Sequence, residues 1–391
     1  MSALQVGRVR ALSSPVFRGT ALATAVSTVG VLPAYLAGAL APQIREDLGI
    51  GPAAVGLALS ACFLSQSLFS ARLGRIVDRL GAITSLRAAA LATAVVAGTI
   101  AAAAGSFAML VVLLLATGTI NGIAQLASSA TVADSVPLRR QGVAFGIKEA
   151  AKPGATLLCG IAVPLVVLID WRWAFVVCAM LALTLLWASK GQSRARTRET
   201  KLNPAGRAPL ALVMLAVAAA LGSAVGTTAG TFMVDTFMSG GMSAGAAGAL
   251  LMVGSVTSIV IRIVIGLRAD RMERGHLLRV AGLLAAGAPG FVLLAVGSGA
   301  ILVLGAMLAF GGGWGWAGLL NYAVVRRNQA TAATAAGVVL GGASFGGGSG
   351  PLLFGLVAEH ASYATGWWLC AALALVAAAI VLAARTRLAR Q

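Results

Sequence analysis

Gly74-Arg75-Ile76-Val77-Asp78-Arg79-Leu80-Gly81 is a charged stretch set between two long apolar runs, and it is echoed in the second half of the chain by Gly266-Leu267-Arg268-Ala269-Asp270-Arg271. The runs flanking each copy are long enough to cross a bilayer, which takes roughly 20 apolar residues. A short basic turn between two such runs reads as a connection on the cytoplasmic side, because translocating Lys and Arg is disfavoured. Other landmarks pair up in the same order: Gly105 with Gly297, Arg140 with Arg327, and Pro164 with Pro351. The pairing indicates a duplicated unit. A unit with an even number of crossings gives two halves of the same orientation, related by an axis along the membrane normal.

Composition points the same way. The chain has 391 residues, is 59% hydrophobic and only 10% charged, and has a mean hydropathy of +0.94, more apolar surface than a water-soluble fold buries. Charges and Gly/Pro breaks divide the first half into spans at 19–41, 52–72, 83–104, 107–133, 141–165 and 171–189. The second half divides at 209–235, 244–266, 277–297, 300–325, 331–357 and 363–384. The expected fold class is therefore an all-α membrane protein, with twelve transmembrane helices in two pseudo-symmetric six-helix bundles at 1–189 and 209–391. A polar stretch from Lys190 to Arg207 marks a cytoplasmic linker at 190–208.

The formal net charge of +18 suits a nucleic-acid binder only if the basic residues share a solvated face. They lie between apolar runs instead. Arg72, Arg75, Arg79, Arg87, Arg139, Arg140, the linker, Arg268, Arg271, Arg274, Arg279, Arg326, Arg327, Arg385, Arg387 and Arg390 all fall on the proposed inner side. Outer connections keep Arg45 and Arg172 beside Glu46, Asp47, Asp170, Asp235 and Glu359. This arrangement puts both termini in the cytoplasm of a multi-pass chain in the cell (inner or plasma) membrane, with the lipid bilayer as partner and no nucleic acid. Arg8, Arg10 and Arg18 precede the first apolar run, which is span-length and followed by Pro42, so it reads as an uncleaved first helix. Cys62, Cys159, Cys178 and Cys370 sit in apolar stretches without metal-site spacing, and neither a disulfide nor a metal site is expected.

Gly-x-x-x-Asp-Arg-x-Gly in the connection after the second span, with its echo in the second half, resembles the loop signature of the major facilitator superfamily of secondary transporters. Span count and central linker extend the resemblance over essentially the whole chain. It implies alternating access through a central cavity, a functional monomer, no cofactor, and a gate built on Gly74, Asp78 and Arg79 with Gly266, Asp270 and Arg271. The physics is compatible: Gly74 would permit close helix approach, and Asp78 can pair with an Arg or a helix N-terminus across the halves. The bland reading is that the arginines only fix topology. Two departures stand out. Ala82 and Ile83 replace the usual basic pair, and Glu273 falls where the echo's second Gly would be, so the second copy is expected to gate more weakly.

Gly146-Ile147-Lys148-Glu149-Ala150-Ala151-Lys152-Pro153-Gly154 places three ionisable residues inside the fifth span. Each costs roughly 2.5 to 3.5 kcal/mol at a helix centre on insertion scales, so a partner or an aqueous cavity is expected. Lys148 and Lys152 share a face by four-residue spacing, and Glu149 can reach Lys152 by three-residue spacing. In the functional reading Lys148 or Lys152 holds an anionic substrate such as a carboxylate, with Glu149 as counter-ion or proton carrier. In the competing reading Lys148 snorkels to the headgroups and Glu149 with Lys152 forms an inert pair. Both stay open at this point.

The superfamily layout implies Tyr35, Asn121, Gln125, Thr228, Trp314, Asn321 and Tyr322 as candidate cavity residues, while Asp235, closing the seventh span, is expected to be solvated. Gly346-Gly347-Gly348-Ser349-Gly350-Pro351-Leu352-Leu353-Phe354-Gly355 in the eleventh span strips side chains from a helix face, which favours tight packing. An embedded enzyme would need a nucleophile and base or a metal set, yet His276 and His360 lie in predicted connections. No filter sequence suggests a channel. The chain also lacks a phosphate-cradling Gly-x-x-x-x-Gly-Lys-Ser/Thr loop, so transport is expected to draw on a gradient; the resemblance implies protons as the default partner, with Glu149, the acid clearly inside a span, as the candidate carrier. Within transport, a small organic anion competes with amphipathic drugs or metabolites exported by protons. The two lysines favour the anion, because they repel cations.

Overall fold

The computed structural model describes residues 15–137, 140–166, 169–189, 210–272, 274–328 and 332–389. The linker at 190–208 lies outside the described residues. Among the described residues every regular element is helical. The first half crosses by Pro15–Ala39, Pro52–Leu80, Ala82–Ala103, Phe107–Ser135, the pair Gln141–Glu149 and Ala151–Val166, and Arg172–Ala188. The second crosses by Leu210–Ser239, Ala244–Asp270, His276–Val296, the pair Ala300–Leu308 and Ala317–Arg327, Ala332–His360 and Tyr363–Ala389.

Ten of these twelve crossings meet the length and hydropathy of a membrane span. Of the other two, Arg172–Ala188 has only 17 residues, and Ala332–His360 is diluted by its Gly and Ser content. Side chains such as Val95, Val177, Val260 and Leu375 are exposed on these helices, an arrangement that suits lipid as solvent.

Local chemistry sets the turns. Gly81, the last residue of the charged stretch, has φ +82° and donates its N–H to the Val77 carbonyl, closing the second span. Only Gly adopts that backbone cheaply. In the second copy the left-handed residue is Gly275, φ +84°, two positions beyond the place where the pattern calls for Gly. Ser106 and Ser243 cap the fourth and eighth spans, accepting from Met109 N and Ala246 N at 3.3 Å each.

The halves meet along two glycine-lined crossings. Between the fifth and eighth spans, a Cβ on Gly266 would lie 2.6 Å from the Gly142 carbonyl oxygen, and one on Gly248 would lie 2.6 Å from that of Gly160. Between the second and eleventh, a Cβ on Gly56 would lie 2.6 Å from the Pro351 oxygen, and one on Gly355 2.8 Å from that of Pro52. The glycine run of the eleventh span therefore serves two neighbours: Gly348 and Gly355 face the second span, while Gly342, Gly346 and Gly350 abut Ala216, Ala220 and Ala224 of the seventh. Backbones approach this closely only where side chains are absent.

Candidate substrate site between the halves

The fifth span is broken at Ala150, between Gln141–Glu149 and Ala151–Val166. Pro153 explains the break. A helix would have residue 153 donate to the Glu149 carbonyl, and proline has no N–H to give. The tenth span is interrupted at a similar depth by a π-helical turn, Ala309–Gly313, ahead of Ala317–Arg327, and such turns leave carbonyls without their usual donors.

One guanidinium serves both breaks. Arg262, 2% exposed in the eighth span, donates Nη1 to the Glu149 carbonyl at 3.0 Å and Nη2 to the Trp314 carbonyl, with Nε reaching Ser258 Oγ at 3.3 Å. It thereby ties the fifth span to the eighth and tenth, across the two halves. Arg262 escaped sequence reasoning although its signal was present: a lone Arg between Ile261 and Ile263 carries the same insertion cost that drew notice to Lys148.

Around Arg262 lies the expected charge cluster, differently paired. Lys148, 4% exposed, donates Nζ to Glu149 Oε1 at 2.8 Å. The same oxygen accepts from Asn321 Nδ2 at 3.3 Å, and Glu149 Oε2 lies 4.0 Å from Arg262. The competing reading of snorkelling and an inert Glu149–Lys152 pair does not hold here. Lys148 does not snorkel, and Glu149 pairs with Lys148 rather than Lys152, because the break at Ala150 interrupts the helical spacing that would have joined Glu149 to Lys152. Lys152 is partly exposed and makes no hydrogen bond or ion pair among the described residues. Its electrostatic neighbours are Glu149, Lys148, Arg262 and Cys62.

An aromatic wall stands beside the cluster. Gly226 and Gly230 of the seventh span leave room for the Trp314 indole: a Cβ on Gly226 would lie 2.0 Å from its Cδ1. Tyr35 meets the same indole edge-on at 5.9 Å between centroids, and its buried hydroxyl has no hydrogen-bond partner among the described residues. Thr228 is 1% exposed in the seventh span, close to this wall in sequence. Three candidates fall outside the cluster. Asn121 is turned toward Gln66, donating Nδ2 to Oε1 at 2.9 Å. Gln125 is buried one helical turn beyond Asn121. Tyr322 accepts from Arg326 at 2.7 Å and packs edge-on to His276 at 5.3 Å.

The two loop copies differ in engagement. Asp270 accepts from Gly142 N at 2.7 Å and Val143 N at 3.0 Å, capping the start of the fifth span in the other half. With Arg140, Val143, Leu267 and Arg271 it lines a recess of about 630 Å³. Asp78 and Arg79 are exposed, and Asp78 has no partner among the described residues. A Cβ on Gly74 would meet nothing within 4 Å, so the close approach expected at Gly74 occurs at its echo, Gly266.

At the opposite end Asp235 is wholly buried, not solvated. Arg45 donates Nη1 to its carboxylate at 2.8 and 3.1 Å, and Tyr363 donates its hydroxyl at 2.5 Å. Burial works against the Arg45 charge, but Asp235 and Tyr363 outweigh it and hold the guanidinium above its ordinary pKa. Glu359 adds a second tie at that end, accepting from Ala53 N at 2.9 Å.

The sequence profile of the Major Facilitator Superfamily matches residues 20–338. The chain belongs to this superfamily. Its fold is similar to that of the human organic anion transporter MFSD10 (TETRAN), with TM-score 0.70 and 18% identity, covering 94% of this chain and 100% of that one. It is also similar to a bacterial homolog of the human lysosomal transporter Spinster in an inward-facing and occupied conformation, with TM-score 0.69 and 16% identity, covering 94% and 96%. No curated protein matches the chain in sequence. Membership makes this superfamily chain a membrane-embedded secondary transporter of small molecules.

Proposed function

We propose that the chain moves a small organic anion by alternating access, with Lys152 as the anchoring cation. One observation carries the reading: Glu149 is already engaged by Lys148 and Asn321, so the partly exposed ammonium of Lys152 stands beside it without a counter-ion. An unmatched cation at membrane depth calls for a ligand or water. Tyr35, Thr228 and Trp314 supply the wall of the pocket, and Asn321 and Lys148 orient Glu149. Proton coupling is assigned to Glu149, the acid nearest Lys152. Asn121, Gln125 and Tyr322 act at a distance, through helix contacts rather than through substrate.

Gating falls to Asp270 with Gly266 and Arg271, seated on the fifth span, and to Asp78 with Gly74 and Arg79, which engage in the alternate state. The concentration of arginine around both loops supports a cytoplasmic location for that end and for both termini, with a polar linker joining two six-helix bundles. A cationic drug is disfavoured by the three central cations.

Purified protein in proteoliposomes, offered radiolabelled carboxylates across an imposed proton gradient, tests the reading. Wild type and Lys152→Arg should take up at least one of them, and Lys152→Gln should lose about tenfold or more. Uptake unchanged in Lys152→Gln contradicts it.

A further inference from the structure

The balance of charge at the centre sets the charge of the ligand. Around the breaks in the fifth and tenth spans lie three cations, Lys148, Lys152 and Arg262, and one carboxylate, Glu149. Two further carboxylates that link the halves are committed elsewhere, Asp235 to Arg45 and Tyr363, and Asp270 to the amides of Gly142 and Val143. Glu149 can cancel one charge. The cluster is left two negative charges short of neutrality, with Lys148, Glu149 and Arg262 buried and Lys152 partly exposed.

Resting on the reading that this site takes an anion, we propose that its substrate is a small dianion. One acidic group pairs directly with Lys152. The second is balanced by the Lys148, Glu149 and Arg262 trio, which keeps one net positive charge and acts through its field in a poorly screening interior. Arg262 spends three of its five N–H groups on the carbonyls of Glu149 and Trp314 and on Ser258, and is only 2% exposed. Held in place by these bonds, it contributes chiefly its charge, so the partly exposed Lys152 decides whether the site accepts a second negative charge. A dicarboxylate and an inorganic oxoanion share this chemistry.

Ligand-induced thermal stabilisation of the purified full chain distinguishes them, because a ligand stabilises the state it binds. The probes are succinate, phthalate and sulfate, each set against a monoanion of like shape: monomethyl succinate, monomethyl phthalate and methyl sulfate. In wild type at least one dianion should bind about tenfold or more tightly than its monoanionic match. The carboxylate and sulfate arms show which chemistry the site prefers. Lys152→Gln should bring the pair to within about twofold, and Lys152→Arg should restore the preference.

A monoanion that binds as tightly as its parent dianion overturns the inference and leaves the anion reading standing. Equal weakening of both ligands in Lys152→Gln overturns it too, as a purely structural role for Lys152 would produce. No stabilisation by any of the six overturns the inference and the anion reading together. The comparison within wild type holds whether or not either variant folds.

Discussion

Arg45 Nη1 lies 2.8 Å from Asp235 Oδ1, and the two residues belong to opposite halves of the chain. Asp235 has no exposure at all, whereas the Arg45 side chain keeps 27%. The pair closes one end of the molecule together with the packing of Gly38 on Thr231, where an added Cβ would lie 2.9 Å away. Removing Arg45 strands a buried carboxylate with Tyr363 as its remaining donor, a loss of about 1–3 kcal/mol for a charged hydrogen bond, reduced by the partial exposure of Arg45. Arg45→Ala should therefore raise maleimide labelling of a Thr231→Cys variant several-fold, the native cysteines being buried. Unchanged labelling would show that the pair does not hold this end shut.

Asp270 should matter more to stability than its sequence counterpart Asp78. Asp270→Ala removes a carboxylate cap from the start of the fifth span, which costs about 0.5–2 kcal/mol. Asp78→Ala removes an exposed carboxylate without a partner among the described residues, and surface changes of that kind stay within about 0.5 kcal/mol. Thermal unfolding in detergent separates the two. Equal shifts would refute the difference in engagement.

The crossing of the fifth and eighth spans should tolerate no side chain. Gly266→Val forces a branched group against the Gly142 backbone, and overpacking of this kind costs about 1–3 kcal/mol. Gly74→Ala should be neutral or slightly stabilising, since the added methyl meets open space and Ala favours the helix by about 1 kcal/mol. The melting temperatures of the two variants should move in opposite directions or differ clearly in size.

Arg262 should be the most sensitive position of the cluster to truncation. Arg262→Met leaves the carbonyls of Glu149 and Trp314 without donors and Glu149 with less compensation. Breaking a buried charged network of this sort costs about 3–5 kcal/mol. Arg262→Lys keeps the charge but cannot span both carbonyls at once, so it should fall between Met and wild type. A Met variant as stable as wild type would show that the bridge carries no weight.

The twelve helices were legible in the sequence because lipid imposes a simple rule on composition and charge. Gly74 and Gly266 occupy equivalent places in the repeated motif, yet a Cβ on Gly266 would meet the fifth span and one on Gly74 nothing within 4 Å, a difference that the motif alone does not announce. Glu149 was matched to the wrong lysine because spacing rules assume an unbroken helix, and Pro153 breaks it. Asp235 was placed in solvent because its partner Arg45 is distant in sequence and nothing local announces the pairing. Arg262 could have been found by the insertion-cost argument applied to every span rather than to the densest one.

In the proposed site Lys152 is the open anion anchor and Lys148, paired with Glu149, the closed one. Amine-reactive labelling of the reconstituted protein, mapped by peptide mass analysis with and without succinate, tests this most directly. Lys152 should be modified about tenfold faster than Lys148, and succinate should protect it. Similar modification of the two lysines, with no protection by any anion that the protein transports, would contradict it.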